Sequence, residues 1–144
     1  MNYPRLGIAI ELGQDWQVNV DPETGSLKAF RGGIDADSAS AGLFVGLKNR
    51  DPSIDPATQA LRIMKPHTGR GEPEEIQSEL NGRPAFGYRW TDGLGEVLTW
   101  LVPTASGDFL EVEFSFCGRR HSFYEGGLLE EAHQALLSLK WLNQ

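Results

Sequence analysis

The chain has 144 residues, and a hydrophobic content of 40% is enough for one domain with one core, spanning residues 1–144. Because 20 acidic side chains outnumber 13 basic ones and give a net charge of -7, most of the surface would repel a phosphate backbone, so we expect no nucleic-acid partner. The lone cysteine, Cys117, excludes an internal disulfide and the cysteine-rich zinc sites.

Targeting signals are absent from the pattern of the sequence. The residues after Met1 do not form the basic and apolar regions of a signal peptide, and no apolar run approaches the ~18 residues of a membrane span. A single thiol also suits a reducing compartment. We therefore expect a cytoplasmic protein with no membrane contact.

The N-terminal half predicts short strands followed by one helix. Alternation of apolar and small or polar residues, together with turn residues, predicts strands at 6–12, 16–20, 27–30 and 43–47, with a turn at 21–25 and a loop at 31–42. Asp55 and Pro56 are typical of a helix start, and Ala57, Ala60, Leu61 and Met64 share a face. We expect Pro66 to end this helix and residues 65–73 to form a loop, while 74–80 remains ambiguous between helix and strand.

An antiparallel meander follows, from Ala85 to Cys117, after a tight turn at Asn81-Gly82. Its first strand alternates Phe86, Tyr88 and Trp90 with other residues, and its last strand has a period of two. The members of that last strand fall into a buried set, Leu110, Val112, Phe114 and Phe116, and a solvent set, Glu111, Glu113 and Ser115.

The C-terminal segment predicts an amphipathic helix. Its apolar face consists of Leu128, Ala132, Ala135, Leu136 and Leu139. Placed against the meander, it predicts an α+β fold: an antiparallel sheet with helices packed on it. Trp141 falls outside the apolar arc, which indicates either a fold-back of the chain end or an exposed partner surface.

Four segments form a recognisable set: Gly7 to Leu12 followed by Trp16, the Asn81 to Ala85 entry to the meander, the Gly107 to Leu110 hairpin, and Ala135 to Trp141. Together they resemble the PsbP-like superfamily, which includes the photosystem II extrinsic protein, the Ran-binding nuclear import factor of yeast and bacterial proteins of mostly unknown role. The chain departs from the family at Gly13-Gln14, where a proline before the tryptophan is common. The resemblance implies a PsbP-like α/β/α sandwich that acts as a non-catalytic binding module, and it assigns no individual site residue.

Chemistry-bearing residues are few. Cys117 and His121 are the one pair that suggests an enzyme, since a nearby imidazole can activate a thiol, but no oxyanion site accompanies them. Glu130 and His133 have the spacing of a di-iron helix without the second copy such a site needs. Asp35, Asp37 and Asp51 lack the spacing of a calcium loop, and Gly32-Gly33 and Gly69-Arg70-Gly71 lack the residues that complete a phosphate loop. We expect no metal and no cofactor.

One local inversion of charge predicts a partner surface. Arg119, Arg120 and His121 precede Phe123 and Tyr124 on an otherwise acidic chain, and arginine beside aromatic residues is enriched at protein interfaces. We therefore expect these five residues to bind a partner protein or a second copy of the chain. The alternative is a solvated connection whose arginines pair with nearby glutamates.

The function that this sequence favours is a small accessory or protein-binding domain, with a chaperone-like adaptor of a bacterial secretion system as one form of it. The alternatives are the small enzyme using Cys117 and His121, or a small-molecule binding domain.

Overall fold

The structure is a computed structural model, and it describes residues 1–31, 41–68, 73–76, 78–91, 95–117, 134–135 and 137–142. Within these ranges the chain is mostly β. The helix with defined bounds is α1 (Pro56–Thr68). The strands are β1 (Asn2–Tyr3), β2 (Ile8–Ala9), β3 (Trp16–Val20), β4 (Leu27–Arg31), β5 (Ala41–Lys48), β6 (Glu74–Glu75), β7 (Glu79–Leu80), β8 (Arg83–Pro84), β9 (Phe86–Thr91), β10 (Gly95–Pro103), β11 (Phe109–Cys117) and β12 (Lys140–Trp141).

A seven-stranded antiparallel sheet dominates, in the order β3-β4-β5-β11-β10-β9-β6. The predicted meander forms its centre, with Val112 opposite Trp100 and opposite Val45. Strands β1, β2 and β12 form a separate small sheet, and β7 pairs with β8. The meander, β3, β4 and β5 confirm the strands predicted from alternation.

One face of the large sheet carries the main core. Leu110, Val112 and Phe114 are fully buried there, as their alternation predicts. The edge of Trp16 meets the Phe114 ring, with centroids 6.4 Å apart. The N-terminal residues and the last described residues of the chain join the same cluster, among them Tyr3, Leu6, Ile8, Ile10, Ala135, Leu139 and Trp141. Both ends of the described chain therefore help to bury this face.

The opposite face is covered by α1. Asp55 caps the helix, because its Oδ2 accepts a hydrogen bond from the Thr58 amide at 3.2 Å. Ala60 and Met64 then pack on Tyr88, Leu101 and Phe109. The start of the helix is as predicted. Of its predicted apolar face, Ala60, Leu61 and Met64 pack on the sheet, whereas Ala57 is exposed.

The predicted fold class, an α+β sandwich of helices on an antiparallel sheet, is wrong for the described chain, which is mostly β with large antiparallel sheets. The sequence argument gave the terminal helix the task of covering the sheet. In the structure the N-terminal segment and β12 also cover this face, beside Ala135 and Leu139 of the predicted helical face. Strands of two residues that pair with distant segments leave no periodic signal in the sequence. The predicted helical face lies partly outside the description: Leu128, Ala132 and Leu136 belong to residues not described. Gln134–Ala135 and Leu137–Ser138 are helical, with Ala135 and Leu139 buried.

Three local predictions differ from the structure. The strand predicted at 6–12 is only Ile8–Ala9, because the chain turns at Tyr3 to Gly7, where Gly7 has a φ of 71°. The helix continues through Pro66 to Thr68, since a proline near a helix end removes a single hydrogen bond. Glu111 was expected in water but is 7% exposed, because it lies on a central strand, opposite Leu101 of β10 and Gly46 of β5.

Candidate functional site

The predicted partner surface cannot be located. Arg119, Arg120, His121, Phe123 and Tyr124 all lie in the stretch 118–133, outside the described residues. The backbone of Cys117 ends β11, but its side chain is not described either. The partner surface and the cysteine–histidine pair both remain predictions.

The residues predicted to lack a metal or phosphate role are described only in part. Within the described ranges, no three histidine, cysteine, aspartate or glutamate side chains come together in a group that could hold a metal ion. Asp51 belongs to a turn, as expected: its Oδ1 accepts hydrogen bonds from the Ser53 amide at 2.9 Å and hydroxyl at 2.7 Å, which hold the pKa of the Asp51 carboxyl below its usual value. Asp35, Asp37, Glu130, His133 and both predicted glycine loops lie outside the description.

The tryptophan side chains that the structure describes belong to the core. Trp16, Trp100 and Trp141 are 6%, 4% and 8% exposed. The Nε1 of Trp100 is buried with no hydrogen-bond partner in the described chain. Trp90 lies on β9, and its side chain is not described.

Trp141 is the centre of a polar clasp between the chain end and the Asn81-Gly82 turn. Its Nε1 donates to the Asn81 carbonyl at 3.0 Å, and the Arg83 guanidinium carbon lies 4.4 Å from the centroid of its ring. The Nδ2 of the Asn81 side chain donates back to the Leu139 carbonyl at 3.0 Å. Asn81 has a φ of 47° and Gly82 a φ of 90°, the conformation of a type I′ turn. Of the two readings left open for Trp141, the structure shows the fold-back.

A first candidate surface is the outer edge of β3. This strand ends the large sheet within the described chain and pairs on one side only, with β4. The Asp21 amide donates to the Ser26 carbonyl at 2.9 Å, so these two residues form a hydrogen-bonded pair. Hydrogen-bonded and non-hydrogen-bonded pairs alternate along antiparallel strands. The backbone groups of Gln17 and Asn19 therefore point toward β4, and those of Val18 and Val20 point away from it. Val18 and Val20 are also 41% and 48% exposed.

A second candidate is a groove of about 430 Å³ at the other end of the sheet, between α1 and β9. Leu61 and Phe86 line its half-buried apolar wall, and Glu75 stands at its rim. Tyr88 also lines it and is 3% exposed, yet its hydroxyl makes no hydrogen bond within the described chain. Burial first, and then the nearby charge of Glu75, raise the pKa of Tyr88 above its ordinary value.

Sequence reasoning missed both surfaces. The alternation of β3 was recognised, but a strand pattern does not tell an edge from a centre. Tyr88 was assigned to a strand, and Glu75 to an ambiguous segment; their approach depends on the pairing of β6 with β9, in which Glu75 lies opposite Tyr88.

No protein-family model matches the chain, and no curated protein matches it. Two solved structures are similar in fold. A protein from Bacteroides thetaiotaomicron VPI-5482 shares 14% identity at a TM-score of 0.50, over 94% of this chain and 45% of its own length. LpqN of Mycobacterium tuberculosis, described as involved in cell envelope biogenesis, shares 13% identity at a TM-score of 0.55, over 92% of this chain and 82% of its own. The chain thus spans less than half of the Bacteroides protein and most of LpqN, and at these identities the likeness shows the fold alone.

Proposed function

We propose that this chain is a non-catalytic protein-binding or accessory domain, and that the edge of β3 receives an extended segment of a partner protein. The observation that carries the proposal is the unpaired outer edge of β3 together with the exposure of Val18 and Val20. Addition of a strand to a sheet edge is a recurrent mode of peptide recognition, in which backbone hydrogen bonds supply affinity and side chains supply selectivity.

The edge lacks the devices that usually prevent such pairing. Sheet edges are commonly protected by charged residues, proline or bulges. The sequence of β3, Trp-Gln-Val-Asn-Val, contains no charge and no proline, and its pairing with β4 is regular over all five residues. An incoming strand would meet the outward backbone groups of Val18 and Val20 and cover part of their side chains.

The charges around β3 favour a different protein over a second copy of this chain. Asp15 precedes the strand and Asp21 follows it. In an antiparallel pair of two β3 strands centred on Val18, Asp15 of one copy would lie opposite Asp21 of the other, and like charges directly opposite each other are destabilising. A partner segment with β-branched residues at its centre and a basic residue at each end complements this edge.

The fold comparison is consistent with this class of function and does not narrow it. LpqN is described as involved in cell envelope biogenesis, and we propose for this chain only the coarser role of an accessory domain, with a chaperone-like adaptor of a secretion system as one form. None of the helical segments in the described ranges is long and apolar enough to cross a membrane. Arg119, Arg120, His121, Phe123 and Tyr124 remain a second proposed contact for the same partner.

The proposal is tested by blocking the edge while preserving the fold. In Val18→Pro the lost N–H points away from β4, so the sheet keeps its ladder, and proline is tolerated at such edge positions. Val18→Thr is the matched control, because it keeps the N–H and a β-branched side chain. A photo-crosslinking residue at position 20 identifies the partner in cells, and the affinity of that protein is then measured for each variant.

We expect Val18→Pro to weaken binding more than tenfold and Val18→Thr to change it less than threefold, with circular dichroism showing both variants folded. Equal affinity of the parent and a folded Val18→Pro variant would refute the edge as the binding surface. Binding that is lost instead in Arg119→Ala/Arg120→Ala would move the interface to the basic segment.

A further inference from the structure

The groove between α1 and β9 goes beyond the proposed protein-binding role, because it lies at the opposite end of the sheet from β3. Its volume of about 430 Å³ is within the range of small-molecule sites. The wall is built from the first two turns of α1, through Ala57 and Leu61, and from Phe86 on β9. Such a wall suits the apolar part of a small ligand.

Tyr88 supplies an unused polar group in this wall. Its ring is held under α1 with Ala60 and Met64, so its position is set by the core. Its hydroxyl has no hydrogen-bond partner in the described chain. Solvent reaches this oxygen, since it is not one of the buried polar atoms that lack a partner. This oxygen is therefore accessible from the groove and can accept a hydrogen bond from a donor that enters there.

Glu75 determines the charge of that donor. It is exposed at the rim, lies opposite Tyr88 in the β6–β9 pair, and is not hydrogen-bonded to it. The described residues that line the groove include no lysine, arginine or histidine. A carboxylate ligand would therefore be repelled at the rim, whereas a cation would be attracted to Glu75.

We propose that the groove binds a primary amine attached to an apolar body, with its ammonium group between the Glu75 carboxylate and the Tyr88 hydroxyl. An ammonium group has three N–H donors, so it can donate to both oxygens at once. The alkyl part then lies on Leu61 and Phe86. Burial of apolar surface supplies affinity, and the ion pair in a partly desolvated groove supplies the preference for a cation.

Three probes of equal length test this preference: n-octylamine, which is protonated at neutral pH, n-octanol and n-octanoate. Each is titrated into the isotopically labelled protein, and dissociation constants are measured from amide shifts in NMR spectra. We expect n-octylamine to bind at least tenfold more tightly than either other probe, with the largest shifts at the amides of Leu61, Gly87 and Tyr88.

Two variants and one control separate the groove from general attraction of a cation to an acidic protein. Glu75→Gln and Tyr88→Phe should each weaken binding of n-octylamine at least fivefold. Glu74→Gln removes the same charge from the neighbouring residue, which does not line the groove, and should change affinity less than twofold. Because the Tyr88 hydroxyl has no partner in the described chain, Tyr88→Phe should unfold at the same urea concentration as the parent within error.

Failure of n-octylamine to bind, equal affinity for the three probes, equal effects of Glu74→Gln and Glu75→Gln, or shifts that map away from α1 and β9 would each overturn the proposal. None of these results bears on Val18→Pro, so the two proposals fail independently.

Discussion

Replacement of Trp141 by phenylalanine tests whether the clasp at the chain end stabilises the fold. The variant keeps an aromatic ring against the core but removes the N–H that donates to the Asn81 carbonyl at 3.0 Å. Loss of such a bond costs about 0.5–1.5 kcal/mol, and a weaker contact with the Arg83 guanidinium adds about 0.5 kcal/mol. We expect Trp141→Phe to lower the free energy of unfolding by about 1–2 kcal/mol, in addition to the cost of a smaller ring.

Trp100→Phe is the matched control, because it removes a similar volume from a residue that is also nearly fully buried. Its Nε1 has no partner in the described chain, so the substitution removes a donor that was buried at a cost of about 1–3 kcal/mol. Urea unfolding followed by far-ultraviolet circular dichroism compares the two without depending on tryptophan fluorescence. If Trp141→Phe costs no more than Trp100→Phe, the hydrogen bond to Asn81 does not stabilise the protein.

Two further predictions concern a turn and the buried chain end. The Asp21 Oδ1 accepts hydrogen bonds from the Glu23 amide at 2.8 Å and the Thr24 amide at 3.3 Å, and these bonds lower the pKa of Asp21 in the folded state. The ionised Asp21 side chain therefore stabilises the fold at a pH above its unfolded pKa. This stabilisation is lost as the pH falls through the lower pKa of the folded state. We expect the parent to be more stable than Asp21→Asn at pH 7 and the difference in urea midpoint to shrink at pH 2, whereas a constant difference would contradict the mechanism. Leu139 is 2% exposed and Leu137 is 65% exposed, so Leu139→Ala should cost about 2–5 kcal/mol and Leu137→Ala less than about 0.5 kcal/mol in the same assay. Similar costs for the two leucines would show that the chain end does not pack as described.

Much of the large sheet could be predicted from the sequence because its signals are local. Leu110, Val112 and Phe114 alternate with polar residues, and all three are buried on one face. Asn81-Gly82 is one of the few dipeptides that readily accommodate two positive φ values in a tight turn, and the turn is present. Asp55 and Pro56 likewise begin α1.

The errors arise where distant segments meet. Glu111 has the sequence position of a solvent-facing residue but is 7% exposed, on a strand that pairs with β10 on one side and with the distant β5 on the other. Trp141 lies beside Ile8 through the pairing of β12 with β2, and nothing near either residue indicates the other. An apolar stripe shows that a face is buried without showing what buries it, so the contribution of the short N-terminal strands and β12 to this core was missed.

The two candidate surfaces also depend on distant pairing, and they lie at opposite edges of the large sheet. β3 and β6 are the two edges of a seven-stranded sheet, so six inter-strand spacings of about 4.8 Å, or roughly 29 Å, separate the strand-addition edge from the strand that carries Glu75. Coupling between ligands bound at the two edges would require an element with two conformations that both ligands affect. The strands between the two edges are joined instead by regular antiparallel pairing. We therefore expect Val18→Pro to leave the affinity for n-octylamine unchanged within twofold. An altered affinity would mean that the sheet transmits a change from one edge to the other, and the two surfaces would then have to be treated as one regulated site.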